Sequence, residues 1–272
     1  HAGFMSIGAY ASAIVTTLIQ DQTDLPAVLL YLIAIIVGGL AAGLIGVLVG
    51  IPALRLSGDY LCIVTVAVAE IVRVVLSNFG FPAITGKATF GKSFAGIAKV
   101  SDYHYVYITM VICIFVMYCY IRSRYGRALI AIREDRIAAA ASGINVTKTK
   151  VLTFTISAFF AGVSGAIYAH YITTLVPTYF NFSKSSEFLA IVILGGSGSL
   201  TGSIVAAPIL SALPQLISYV VPAFASYRML IYAIILVVVM IFKPTGLFGG
   251  REFSLPKLID KITKKKTPKE KR

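Results

Sequence analysis

The chain has 272 residues, of which 58% are hydrophobic and only 13% charged. Soluble domains carry about 25% charged residues, so this composition excludes a water-covered globule. The net charge of +13 is confined: residues 122–150 hold seven Lys/Arg against Glu134 and Asp135, and residues 243–272 hold ten against Glu252, Asp260 and Glu270, leaving almost none elsewhere.

An apolar run over residues 4–19 is closed by Asp21, Asp24 and Pro26, and a second covers 28–49. Both approach the roughly twenty residues that a helix needs to cross a hydrocarbon core about 30 Å thick. Ile51-Pro52 and the polar turn 55–59 end that helix and start a third span over 60–76. Residues 79–102 are too polar to span, 103–121 form a fourth span and 152–172 a fifth. The short run 188–194 leads into GGSGSLTG at 195–202, where Gly195, Gly196, Gly198 and Gly202 predict a helix break and tight turn. A run over 203–221 with Pro208 and Pro214, then one over 229–242, complete the series.

The fold class is therefore all-α, a polytopic transmembrane bundle of about eight spans. The chain opens at His1 without Met or a signal peptide, so an incomplete N-terminus is expected, with about ten spans in a complete subunit. Residues 1–250 are read as the transmembrane domain, with a cytoplasmic segment at 122–150 and a basic cytoplasmic tail at 251–272. Massed Lys/Arg marks the cytoplasmic side and an attraction to anionic lipid, and implies no nucleic-acid partner. Counting crossings puts the glycine turn and the C-terminus inside and residues 79–102 outside, although that outer loop carries Lys87, Lys92 and Lys99. Gly39 and Gly43, Gly46 and Gly50, and Ala158, Gly162 and Ala166 repeat at four-residue spacing, as close helix packing in lipid requires.

Few residues carry chemistry. Glu70 and Arg73 lie at i,i+3 within the third span and can pair. Ionisable groups at bilayer depth are costly unless paired or wet, so the pair is either a structural lock or a functional site. His170, beside Tyr168 and Tyr171, reads as part of an interfacial aromatic belt, and Cys62, Cys113 and Cys119 as small packing residues. GKATFGKS at 86–93 fits the phosphate-loop template, but it follows a membrane span and has no room for a nucleotide-binding domain; it is read as a chance match. Nothing points to an enzyme. The segment 122–150 stands out, since residues 127–142 are good helix formers with an apolar Ala138–Ala141 patch and a Gly143 stop.

Particular strings then carry a resemblance: HAGFMSIGAYAS at 1–12, LRLSGDYLCIVTVAVAEIVRVV at 54–75, SRYGRALIAIREDRIAAAASGINVTKTKVLTFTISAFFAGVSGAIYA at 123–169, VILGGSGSLTGSIVAAP at 192–208 and IFKPTGLFGG at 241–250. In these the chain resembles the second of the paired permease subunits of branched-chain amino-acid type ABC importers. The resemblance implies a plasma-membrane importer whose partners are a paired homologous permease, cytosolic ATP-binding subunits holding ATP and Mg, and an extracytoplasmic substrate-binding protein. No cofactor is expected in this chain. It further implies that Arg133, Glu134, Asp135, Ala138, Ala139 and Gly143 couple the permease to the ATPase. The chain departs from the family at 84–97, where relatives place a TGG-type string. The competing reading is an ion-coupled secondary transporter or channel acting alone, which the Glu70–Arg73 pair and the 195–202 break would serve.

Overall fold

The computed structural model describes residues 1–22, 26–56, 58–78, 94–95, 97, 103–196 and 198–220, with a few positions between 230 and 246. Among these the chain runs α1 (Ala2–Gln22), α2 (Ala27–Ala53), α3 (Asp59–Asn78), β1 (Phe94–Ala95), α4 (Tyr103–Arg122), α5 (Arg124–Glu134), α6 (Arg136–Ala141), α7 (Val146–Ile172), β2 (Thr174–Leu175), a 3₁₀ turn (Pro177–Phe180), α8 (Phe182–Gly195) and α9 (Leu200–Val220). Six of these helices (α1, α2, α3, α4, α7 and α9) are long and apolar enough to cross a membrane. The protein is an all-α, multi-pass membrane bundle.

Helix α8, at 14 residues, is about 21 Å long and falls short of a bilayer core. The expected last span, 229–242, lies mostly outside the described residues, as do the tail and the 86–93 match. Two compact units divide the chain, His1–Ser185 and Ser186–Arg272.

The first unit is built on α1, α2 and α7, and small residues decide how these meet. One side of α2 carries Leu32, Ile36, Leu40, Leu44 and Leu48 at constant four-residue spacing, all 50–66% exposed. That stripe would be a liability in water and is an ordinary lipid face in a bilayer. The other side buries Gly38, Gly39, Ala42, Gly43, Gly46 and Gly50. A methyl group on Gly38 would lie 2.9 Å from the Gly8 carbonyl oxygen of α1 and equally close to Ala166 of α7, and one on Gly39 would lie 2.6 Å from the Phe159 ring. Gly162 is tighter still, its missing Cβ position overlapping Ala42 and the Gly38 carbonyl. Lipid tails supply no hydrophobic drive between helices, so this backbone proximity, with its many dispersion contacts, holds the bundle.

Hydroxyls are buried in α1 without penalty because they bond back to their own helix: Ser6 donates to the Gly3 carbonyl at 2.6 Å, Ser12 to Ala9 at 2.9 Å and Thr17 to Ala13 at 2.8 Å. At one end, β1 and β2 pair antiparallel, with Phe94 opposite Leu175. These two side chains join Tyr10, Ile97, Ala169 and Phe180 in a small apolar cap.

Two boundaries differ from the sequence reading. Helix α2 continues through Pro52 to Ala53, since a proline in the last turn disturbs little of the ladder above it. Helix α7 begins at Val146, six residues before the expected span, because the Asn145 side chain accepts the Lys148 amide at 3.0 Å and starts the helix there.

Candidate functional site

The basic segment after α4 is a chain of short, capped elements. Ser123 turns the corner: its hydroxyl donates to the Tyr120 carbonyl at 2.6 Å and accepts the Gly126 amide. Gly126 is required there, since any Cβ would run into the Ile121 carbonyl. Helix α5 then ends at Asp135, whose backbone is extended (φ −150°, ψ 115°). The single helix expected over 127–142 is therefore two. The break has a local cause: the Asp135 carboxylate accepts the amides of Ile137 at 2.7 Å and Ala138 at 3.0 Å, which makes it the N-cap of α6.

Helix α6 closes with equal care. Gly143 adopts φ +83°, its amide bonds the Ala140 carbonyl, and the Ile144 amide bonds the Ala139 carbonyl, the paired pattern of a Schellman turn. Ala139 is the buried alanine of the patch and Ala138 is exposed, so the two implied coupling residues differ in their surroundings. Arg133 and Glu134 pair at 3.0 Å on the surface. One residue that sequence reading missed is Ile137, which is 82% exposed on α6. Standing just before an alanine run, it gave no signal until the Asp135 break fixed which way the short helix turns.

The capping amides hold the Asp135 carboxyl below the usual carboxylate range. A depressed folded-state pKa contributes stability above the unfolded value, lost as pH falls through the lower folded one. Amide exchange at Ile137 and Ala138 should therefore stay slow from neutral pH down through the ordinary carboxylate range and accelerate only in stronger acid. Asp135→Asn should keep the cap and abolish that acid limb.

On α3, Arg73 Nε donates to Glu70 Oε1 at 2.8 Å and Nη2 donates to the same oxygen. The expected i,i+3 pair thus forms, with the Glu70 side chain 47% exposed and that of Arg73 26%. In the second unit, Gly196 (φ +109°) and Gly198 (φ +93°) make the turn between α8 and α9, and a Cβ on Gly195 would lie 2.6 Å from the Gly202 backbone. Gly246 (φ +75°) sits against this turn, its Cβ position 2.5 Å from Gly196 Cα.

Two expectations are corrected. His170 is fully buried rather than interfacial: its Nδ1 lies 2.8 Å from the Ala166 carbonyl and its Nε2 3.0 Å from Thr16 Oγ1, tying α7 to α1. The cysteines do not fill the interior, since Cys62 and Cys119 are exposed and Cys113 half-buried. Their helices, α3 and α4, turn broad apolar faces outward.

This is a multi-pass membrane protein with a short capped element carried on a basic, non-spanning segment. It belongs to the family described as branched-chain amino acid transport system, permease component, which matches residues 1–240. It is 34% identical to the high-affinity branched-chain amino acid transport system permease protein LivM of Escherichia coli K12, over 91% of this chain and 62% of that protein. The LivM protein of Salmonella typhimurium is 33% identical with the same coverage. The permease protein LivH of Salmonella typhimurium is 31% identical over 53% of this chain and 44% of its own length. The chain thus spans less than two thirds of these relatives. No solved structure matches it.

Proposed function

We propose that the chain is the membrane-spanning permease subunit of an ATP-driven importer of branched-chain amino acids in the cytoplasmic membrane. It works with a paired homologous permease, cytosolic subunits that bind ATP and Mg, and an extracytoplasmic substrate-binding protein. The names of the LivM and LivH relatives support the substrate and the pairing. The observation that carries the reading is the 123–145 element: a capped corner, a helix break fixed by the Asp135 cap, and a six-residue helix closed at Gly143 that turns Ile137 outward. An exposed isoleucine on a basic, membrane-proximal helix is suited to a groove on a cytosolic partner, with Arg133 and Glu134 at its rim. The C-terminus is cytoplasmic; the basic tail, and the packing of Gly246 against the 195–202 turn, support that side for both.

Coupling follows from stiffness. Caps at Ser123, Asp135, Gly143 and Asn145 leave little slack between α4 and α7, so a displacement of α6 by closure of the ATP-binding subunits is transmitted to α7 and its packed partners α1 and α2. Nucleotide then biases a two-state bundle between outward and inward access.

Reconstituted with its partners, the complex should take up labelled leucine on ATP alone with ion gradients collapsed. Uptake that ignored ATP and tracked an ion gradient would instead establish a secondary transporter. The double variant Glu134→Ala/Asp135→Ala should leave the bundle folded while ATP hydrolysis no longer drives uptake.

A further inference from the structure

Helix α3 presents a stripe formed by Cys62, Val66, Glu70, Arg73 and Ser77, spaced four, four, three and four residues apart. Glu70 is the twelfth of the helix's 20 residues, about 17 Å along it and close to the middle of a core about 30 Å thick. Arg73 does not reach for the nearer interface. Its guanidinium bends back one turn and bonds Glu70, holding both charges at depth. Both of these bonds end on Oε1, so Glu70 Oε2 and Arg73 Nη1 make no hydrogen bond among the described residues.

A half-exposed ion pair with unmet bonding capacity at that depth cannot face hydrocarbon. Beside it lies a groove of about 410 Å³ between the start of α1, α3, the 3₁₀ turn and the start of α8. Thr65, Asn181 and Ser185 give this groove polar groups, while Val66 and Phe182 give it apolar wall.

We propose that this face of α3 lines the translocation path, and that Glu70 and Arg73 together form a transient site for a zwitterionic α-amino acid. This rests on the importer reading above. The ammonium of the ligand bonds Glu70 Oε2 and its carboxylate bonds the Arg73 guanidinium, while the aliphatic side chain lies against Val66. Every charge in the resulting four-charge cluster has an opposite neighbour, so a zwitterion enters without leaving an unpaired charge in a dry place. A singly charged or uncharged molecule offers only one of these bonds or none, so the site selects by the presence of both charges. Binding remains weak because the protein pair re-forms when the ligand leaves, which is what a conducting path needs.

The test uses the complete importer in proteoliposomes, with ATP-driven uptake of labelled L-leucine as the readout. Glu70→Gln and Arg73→Gln should each reduce uptake at least about tenfold. Because breaking a pair can impair folding, the swap Glu70→Arg/Arg73→Glu is the decisive variant. It keeps an i,i+3 pair, so the complex should assemble at wild-type yield, yet it presents the charges to an L-amino acid in reverse order and uptake should stay at least about tenfold down. Uptake restored by the swap would show a structural lock and overturn the proposal. Independently, Val66→Cys in a chain whose three native cysteines are serine should react with a membrane-impermeant cationic methanethiosulfonate, more slowly when leucine is present. A thiol there that never reacts would also overturn it. If the wild-type complex itself takes up no leucine on ATP, the importer reading fails; wild-type uptake matched by the swap removes only the site.

Discussion

Replacing Gly162 with leucine is expected to abolish the assembled bundle. The position lies where α7 crosses α2, and a single added methyl would already overlap Ala42 and the Gly38 carbonyl; Gly8 of α1 packs on the Gly162 backbone from the other side. The helices cannot separate by a side chain's width without losing the contacts at Gly38, Gly39 and Gly46 together. Overpacking one well-packed site costs about 1–3 kcal/mol, and here the leucine meets the α2 backbone itself, so a loss at the top of that range, about 3 kcal/mol, is expected. The measurement is the yield of monodisperse protein after detergent extraction and its apparent melting temperature. Ser164→Leu, on the exposed face of the same helix, is the control and should leave both unchanged.

Ile137→Asp should have the second large effect, and of the opposite character. The side chain is 82% exposed, so its replacement disturbs no packing within the chain, and fold and membrane insertion should be intact. If α6 docks on an ATP-binding subunit, a carboxylate in place of the isoleucine puts an unpaired charge into an apolar pocket, and association should weaken by at least about tenfold. Co-purification of the ATP-binding subunit with the variant, compared with Ile137→Val, reads this directly. Retention of the partner by both variants at wild-type level would remove Ile137 from the interface.

Much of this architecture was legible in the sequence because lipid makes strict demands. Residues such as Gly39, Gly43, Ala158 and Gly162 declare close helix crossings by spacing alone, and the structure sets them on the faces where α2 and α7 meet. The Glu70–Arg73 pair was equally plain, being a local i,i+3 event. What could not be read depended on partners distant in the chain or on competition between near-equal local choices. His170 carries an interfacial pattern, with Tyr168 and Tyr171 on either side, yet it is buried because Thr16, 154 residues away, meets it across a helix crossing. Residues 127–142 are good helix formers throughout, and a propensity sum favours one helix. The Asp135 carboxylate breaks it by offering two amides a better partner than the continuing ladder, and that single cap turns Ile137 outward.

Coupling requires above all that the exposed face of α6 meet a cytosolic ATP-binding subunit. Ala141→Cys, at an exposed position of that helix, can be introduced into a chain whose Cys62, Cys113 and Cys119 are serine. A membrane-impermeant maleimide should label it in inside-out vesicles and not in right-side-out ones, and the label should be blocked when the ATP-binding subunits are bound. Labelling from the outer side only, or labelling unaffected by those subunits, would contradict it.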